Sequence, residues 1–141
     1  MSNQITVSSK INAPANRVWE TITEPSHITH WNFATPEWKC PKADNDLTEG
    51  GKFSYRMEAA DGSEGFDFAG TYDTIIPNEK IVYHLDDSRK VEVTISEEEG
   101  ETTVTQTFDP DKQAPLEMQQ MGWQAILNNF KKYTEIYSAT Q

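Results

Sequence analysis

Apolar and polar residues alternate with a period of two along much of the chain, which is typical of half-buried β-strands. The first alternating run lies at residues 5–11, and five more lie at residues 52–59, 64–76, 80–86, 90–96 and 102–108. Tight-turn sequences such as Asp61 and Gly62 separate the later runs. The pattern predicts about seven antiparallel strands, with only short strand pieces in the proline-interrupted region 32–47.

Apolar residues recur every three to four positions in three other places, which predicts helices. Proline is favoured in the first helical turn, so the prolines that open residues 14–23 and 25–31 begin two short helices after the first strand. A third helix begins near Pro115 and, if it reaches Ser138, is about 36 Å long. An antiparallel sheet with one apolar face needs a cover, and this long helix supplies it.

The chain is strongly acidic, and this charge narrows the choice of partners. Its 141 residues include 12 Lys and Arg against 23 Asp and Glu, a formal net charge of −11. Such a surface repels phosphate backbones and anionic lipid headgroups, so neither nucleic acid nor a membrane surface is expected as a partner. The length suits one core, and we expect a single domain over residues 1–141.

The cellular location follows from what the sequence lacks. Cys40 is the only cysteine, so no intrachain disulfide forms, which fits a reducing compartment. No run approaches the roughly 18 apolar residues of a membrane span, and the amino-terminal residues have no apolar signal core. We expect a cytoplasmic protein.

A set of residues along the chain, taken together with the order of the predicted elements, resembles the pattern of a known family. These residues are Ile11, Ala13, Pro14, Val18, Trp19, Pro25, Trp31, Gly50, Gly51, Phe53, Phe68, Gly70, Pro77, Gly122, Trp123, Leu127 and Phe130. In this order they resemble the START-like (SRPBCC) superfamily, and within it the family of the activator of heat-shock protein 90 ATPase homologue domain. The resemblance implies an α+β helix-grip fold, in which a curved antiparallel sheet surrounds the long carboxy-terminal helix.

The resemblance also implies a cavity between sheet and helix that receives a lipid-, sterol- or polyketide-like molecule. We expect ten residues to bind this ligand: Trp31, Phe53, Tyr55, Met57, Phe66, Phe68, Tyr83, Met118, Trp123 and Leu127. Aromatic and methionine side chains suit an adaptable apolar pocket. A well-packed core uses the same residue types, so composition alone does not separate the two.

Gly122 interrupts the amphipathic pattern of the long helix beside a tryptophan. Glycine inside a helix costs about 1 kcal/mol relative to alanine, so its presence needs a reason. Two interpretations are open. The missing side chain leaves room for Trp123 to lie across the cavity wall, or it lets a strand approach closely.

A search for catalytic and metal-binding motifs gives no complete match. The chain contains no nucleophile elbow, phosphate-binding loop, dinucleotide fingerprint or zinc-protease helix. His27, His30 and Cys40 form an incomplete ligand set, since a zinc site needs fixed geometry and usually a fourth ligand. We expect no cofactor and no metal.

Three functions from different classes fit these observations. The first is binding of a small hydrophobic ligand, and the second is an enzyme of the polyketide cyclase or dehydratase kind, with pocket tyrosines as proton donors. The third is a protein-interaction module of the co-chaperone type, with a role in the stress response. The co-chaperone that names the family has a separate amino-terminal domain, whereas here the first strand begins almost at Met1. Activation of a chaperone by this chain alone is therefore not expected, and no motif indicates an oligomeric state.

The incomplete ligand set generates the first prediction. Extensive EDTA treatment should leave Tm unchanged, because a structural metal contributes directly to the free energy of folding. Circular dichroism melting before and after treatment measures this. A fall of several degrees would reveal a metal bound by residues that the motifs do not identify.

Overall fold

The computed structural model describes residues 4–140, which contain seven strands and three helices. In chain order these are β1 (Ile5–Ile11), α1 (Ala15–Thr23), α2 (Pro25–Ile28), β2 (Trp38–Asn45), β3 (Lys52–Ala59), β4 (Gly65–Ile76), β5 (Lys80–Leu85), β6 (Lys90–Glu98), β7 (Glu101–Phe108) and α3 (Leu116–Ala139). Residues 1–3 and 141 of the predicted domain lie outside the described part. None of the three helices is both long and apolar enough to span a membrane.

All seven strands form one antiparallel sheet with the order β1-β7-β6-β5-β4-β3-β2. Each strand from β3 to β7 pairs with its neighbour in sequence, as short hairpin connections dictate, and β1 returns to pair with β7. The sheet curls around α3, and its inner face carries the apolar members of each alternating run. This confirms the predicted helix-grip fold.

The second strand is longer than the sequence predicts. Residues 32–47 were expected to hold only short strand pieces, because proline interrupts a ladder, yet β2 spans eight residues. The pairing of β2 with β3 shifts register between Lys39 and Lys42, and Pro41 lies in this bulge. Since β2 is also an edge strand, a missing N–H there breaks no interior hydrogen bond.

The helix α3 packs on β1 and on α1, not on the middle of the sheet. Its buried residues Leu127, Phe130 and Thr134 all lie in its carboxy-terminal two-thirds. Phe130 also meets the Trp31 ring edge-on at 4.8 Å between ring centres. Burying one such leucine or phenylalanine side chain stabilises the fold by about 1.5–3 kcal/mol, so this part of the helix holds the layer together.

Polar contacts reinforce the junction of α3 with α1 and α2. The buried hydroxyls of Thr21 and Thr134 lie 2.8 Å apart, close enough for one to donate to the other. The Tyr137 hydroxyl donates to the Glu20 carboxylate, which Arg17 also contacts at 3.0 Å. The hydrogen bond from Tyr137 is the main cause that lowers the pKa of Glu20. The carboxylate is therefore more acidic in the folded chain than in the unfolded one.

Gly122 lies away from every strand. A Cβ built on this residue meets no atom within 4 Å outside its own helix turn. The interpretation that a strand approaches closely here is therefore wrong. Trp123 does lie across the sheet, stacked on Phe108 with ring centres 3.9 Å apart, and the space beside Gly122 is open.

This open space generates a prediction for the substitution Gly122→Ala. The methyl group clashes with nothing and improves helix propensity, so the free energy of unfolding should rise by up to about 1 kcal/mol. Urea unfolding of both proteins measures the change. Gly70→Ala is the contrasting control, because its Cβ would lie 2.3 Å from the carbonyl oxygen of His84 and should destabilise the sheet. An alanine at position 122 that lowers stability would contradict the placement of this residue.

The Glu20 contacts generate a prediction on pH. A carboxyl whose pKa is lower in the folded chain contributes stability above its ordinary value of 4.5, and this contribution is lost as pH falls through the folded-state pKa. Glu20→Gln should therefore cost about 1 kcal/mol at pH 7, with a smaller difference from wild type below pH ~4. Urea unfolding at several pH values measures both. The control Glu98→Gln changes an exposed β6 residue and should have no such pH dependence; equal curves for the two variants would refute the assignment.

Candidate ligand-binding cavity

A cavity of about 350 Å³ lies between the inner face of the sheet and the middle of α3. Strands β3 to β7 supply its floor, and Trp123 and Ile126 of α3 supply its roof. Its lining consists of Ile22, Trp31, Asn32, Phe53, Tyr55, Met57, Phe66, Phe68, Tyr72, Ile81, Tyr83, Arg89, Val93, Gln106, Asp111, Trp123 and Ile126. The volume falls at the lower end of the range for small-molecule sites.

Aromatic rings dominate the floor because the alternation of β3, β4 and β5 turns them to the same face. Phe53 is central to this group, with its ring centre 5.1 Å from that of Tyr55 and 4.9 Å from that of Tyr83. Phe68 meets Trp123 edge-on at 6.2 Å, which joins floor and roof. Such tilted and edge-to-face pairs are the favoured arrangements of aromatic rings, so the lining is well ordered.

Eight of the ten residues predicted to bind a ligand line this cavity. They are Trp31, Phe53, Tyr55, Met57, Phe66, Phe68, Tyr83 and Trp123. Phe66 is 51% exposed, so the cavity reaches the protein surface at this residue.

Met118 and Leu127 do not line the cavity. Met118 is 66% exposed, because five residues separate it from Trp123 and place it about 140° away around the helix axis. Leu127 lies on nearly the same face of the helix as Trp123. It is 2% exposed because its side chain is packed within the hydrophobic core. Of the three α3 residues predicted to bind a ligand, Trp123 lines the cavity and these two do not.

The lining includes nine residues that were not predicted to bind a ligand. Four of them continue the period-two pattern of their strands and were within reach of sequence reasoning: Tyr72, Ile81, Val93 and Gln106. Ile126 similarly lies one helical turn from Trp123. Arg89 and Asp111 follow no period, because they lie in the β5–β6 turn and the loop after β7. Ile22 and Asn32 come from the region of the short helices.

A chain of polar groups enters the cavity from the side of α1. The Asn45 amide donates to the Thr23 carbonyl oxygen at 2.6 Å and to the Tyr72 hydroxyl at 3.3 Å. The Tyr55 and Tyr72 hydroxyls lie 3.4 Å apart, and either can donate to the other. Each hydroxyl carries one proton, and the hydrogen bond between the two hydroxyls uses only one of these protons. The other proton remains available as a donor to a bound molecule.

Burial keeps these phenols in their neutral form. Desolvation is the largest cause that raises the pKa of Tyr55 well above its ordinary value, and it likewise raises the pKa of Tyr72 and of Tyr83. The three hydroxyls therefore stay protonated at physiological pH. They act as hydrogen-bond donors and acceptors, not as bases.

The charged residues at the cavity lie in the two loops that border it, the β5–β6 turn and the loop after β7. Arg89 donates from Nε to the Asp87 carboxylate at 2.8 Å, so this cation already has an anionic partner. Asp111 forms no ion pair with any residue between 4 and 140. Arg89 and Asp111 are the charged residues of the described lining, and their formal charges cancel.

The three residues of the incomplete metal set do not come together. The Nδ1 atom of His27 forms a hydrogen bond of 2.6 Å with the Tyr133 hydroxyl, whereas the His30 ring stacks on the Tyr133 ring. Cys40 is buried elsewhere against Asn32, and burial raises the pKa of its thiol. His27 instead has its Nε2 3.4 Å from a carboxylate oxygen of Glu20 and 3.5 Å from one of Glu24.

The comparisons with known proteins agree with this architecture. The model of the Activator of Hsp90 ATPase homolog 1-like protein family matches residues 12–135. A comparison with curated proteins finds no match.

Solved structures give close relatives. The chain is similar to an AHSA1-like protein from Aeromonas hydrophila, with 37% identity, coverage of 95% of this chain and 93% of that one, and a TM-score of 0.89. It is also similar to a protein from Cytophaga hutchinsonii, with 45% identity, coverage of 99% and 96%, and a TM-score of 0.82. A protein from Nitrosomonas europaea shares the fold at 17% identity, with coverage of 96% of each chain and a TM-score of 0.83.

The match over residues 12–135, the two relatives above 30% identity and the seven-stranded sheet curled around α3 lead to one conclusion. The chain belongs to the family of Activator of Hsp90 ATPase homolog 1-like proteins, and it has the helix-grip fold of the START-like superfamily.

Proposed function

We propose that this protein binds a small apolar molecule, of lipid-, sterol- or polyketide-like character, in the cavity between the sheet and α3. The observation that carries the proposal is an aromatic-lined space of about 350 Å³ between the sheet and α3. Interiors normally hold few voids larger than a water molecule, because every void forfeits dispersion contacts and costs stability. A cavity of this size that is retained is best explained by a bound molecule.

The aromatic lining supports an apolar ligand over a polar one. Trp31, Tyr55, Phe68 and Trp123 present ring faces and edges that bury large apolar areas without immobilising flexible chains. The polar groups are few and fixed, as in other small-molecule sites, where they orient the ligand. When a ligand binds, the aromatic rings lose their contacts with water and gain contacts with the ligand.

An enzymatic function of the cyclase or dehydratase kind is a second candidate, favoured by the hydroxyl pair of Tyr55 and Tyr72. An ordered pair of this kind can hold a carbonyl oxygen and donate a proton to it. Asp111 is the only carboxylate among the described lining residues, and it lies in the bordering loop. The cavity therefore supplies proton donors without an interior base, which favours binding over catalysis.

A chaperone-related interaction, which the family name suggests, has weaker support. An interaction module would present an apolar patch on the outer face of the sheet. Four of the six exposed large apolar residues in the described chain instead lie on α3: Leu116, Met118, Met121 and Ile136. Phe66, a fifth, lines the cavity.

Ligand binding is testable with a pair of matched variants on α3. Fatty acids, flavonoids and sterols are first screened by thermal shift, where a ligand at a hundred times its Kd adds roughly 2.7 kcal/mol and raises Tm by several degrees. Ile126→Trp fills the roof of the cavity and should weaken binding of the best compound about tenfold or more. Isothermal titration calorimetry measures Kd, and mass spectrometry of the recovered compound detects any turnover.

Ile136→Trp is the control, because the same substitution on the same helix lies at a 69% exposed position outside the cavity. It should bind like wild type. Equal Kd values for the two variants would place the binding site elsewhere. A broad panel without any saturable shift would refute the proposed function, and a chemically altered compound would favour the enzyme.

A further inference from the structure

The floor of the cavity contains two polar side chains that the protein leaves without a partner. The Tyr83 hydroxyl and the Gln106 amide hydrogen-bond to no other residue in the described chain. Every fully buried side-chain nitrogen or oxygen in residues 4–140 does have a partner. These two groups must therefore reach accessible space, and both residues line the cavity.

The surroundings of Tyr83 show which space this is. Its ring lies between Phe53, 4.9 Å away, and Tyr72, 6.4 Å away between ring centres, which closes the sheet side. Burial is also the largest cause that raises the pKa of this phenol. Its free hydroxyl accordingly faces the cavity and not bulk solvent, and it is protonated.

Register places Gln106 on the same inner face as Tyr83. Tyr83 pairs with Val91 of β6, and Gln106 pairs with Val93 of the same strand. One strand separates the two residues and their partners lie two positions apart along it, so their backbones are about 12 Å apart. Val91 and Val93, 0% and 3% exposed, form an apolar strip between them. The floor thus presents an apolar strip with an unpaired polar group on each side.

We propose that these two groups select an uncharged apolar ligand that carries an acceptor oxygen. The Tyr83 hydroxyl and the Gln106 amide donate hydrogen bonds to this oxygen. This inference rests on the proposed function and specifies its ligand class. A pure hydrocarbon would desolvate both polar groups and leave them unpaired, which weakens binding. An acceptor oxygen takes one or both hydrogen bonds and removes that penalty.

The charges around the cavity disfavour an anionic ligand. Arg89 is the one cation in the lining, and the Asp87 carboxylate already holds its Nε at 2.8 Å. Asp111 adds a second negative charge at the border. A ligand carboxylate would lose its hydration without meeting an unpaired cation, whereas a ketone or ether oxygen carries no such penalty.

The test uses one ring system with different substituents. The probes are 2-acetylnaphthalene, 2-ethylnaphthalene, 2-naphthoate and 2-(aminomethyl)naphthalene, each titrated by calorimetry against wild type. The acetyl compound should bind about five- to tenfold tighter than the nearly isosteric ethyl compound, which is the effect of one or two neutral hydrogen bonds. It should also bind tighter than both charged compounds.

Tyr83→Phe and Gln106→Met remove the two polar groups with little change of side-chain volume. Each should reduce the acetyl-to-ethyl ratio at least twofold, and the double variant should bring it close to one, while binding of the ethyl compound is maintained. Tyr133→Phe is the control, since its hydroxyl bonds to His27 outside the cavity, and it should keep the wild-type ratio. Urea unfolding confirms that each variant is folded.

The outcomes of these titrations distinguish failure of this inference from failure of the proposed function. A ratio near one in wild type, or one that the two variants leave unchanged, overturns the inference while apolar binding stands. Tightest binding of the naphthoate or the amine overturns it in favour of a charged ligand. If neither these probes nor the broad panel bind, the proposed function fails together with the inference.

Discussion

The width that a single helix can cover determines the rest of this structure. Neighbouring strands lie about 4.8 Å apart, so a seven-stranded sheet is about 29 Å wide, whereas a helix with its side chains measures about 10–12 Å. Helix α3 packs on β1 and α1 at one side of the sheet. The inner faces of β3, β4 and β5 must bury their apolar surface by other means. Curling of the sheet and large aromatic side chains do this, and the space that remains between them is the cavity.

The two halves of α3 consequently differ in stability. The carboxy-terminal half holds Phe130 and Thr134 at 0% exposure and adds the hydrogen bonds of Tyr133 and Tyr137. The amino-terminal half carries exposed apolar side chains, and its one buried residue is Leu127, at the middle of the helix. Segments with few buried contacts open locally at the lowest free energy. The roof of the cavity is therefore the part of the layer that opens most easily, without loss of the core.

The sequence predicted those features that depend on local periodicity. Alternation gave the inward faces of β3, β4 and β5, and with them the cavity positions of Tyr55, Phe68 and Tyr83, because a strand has a fixed period of two. The face of α3 was harder, since Met118 and Trp123 both look apolar in sequence yet lie on different sides of the helix. The period of β7 turns Gln106 to the inner face, but it was not predicted because the expected lining was chosen for aromatic and methionine side chains. Arg89 and Asp111 lie in connections, where side-chain direction depends on the whole fold. Residue 41 was read as an interruption because the bulge that accommodates a proline is set by pairing with β3.

The bulge at Pro41 also bears on how copies of this protein behave at high concentration. An edge strand exposes a row of backbone donors and acceptors on which the sheet of a second molecule can continue. At β2 the proline removes one donor, and the register shift between Lys39 and Lys42 bends the row out of alignment. Lysines at both positions add like charges to any copy approaching in the same orientation. Three residues in four positions thus make β2, a strand with no role in the cavity floor, a poor template for sheet-to-sheet growth towards fibrils.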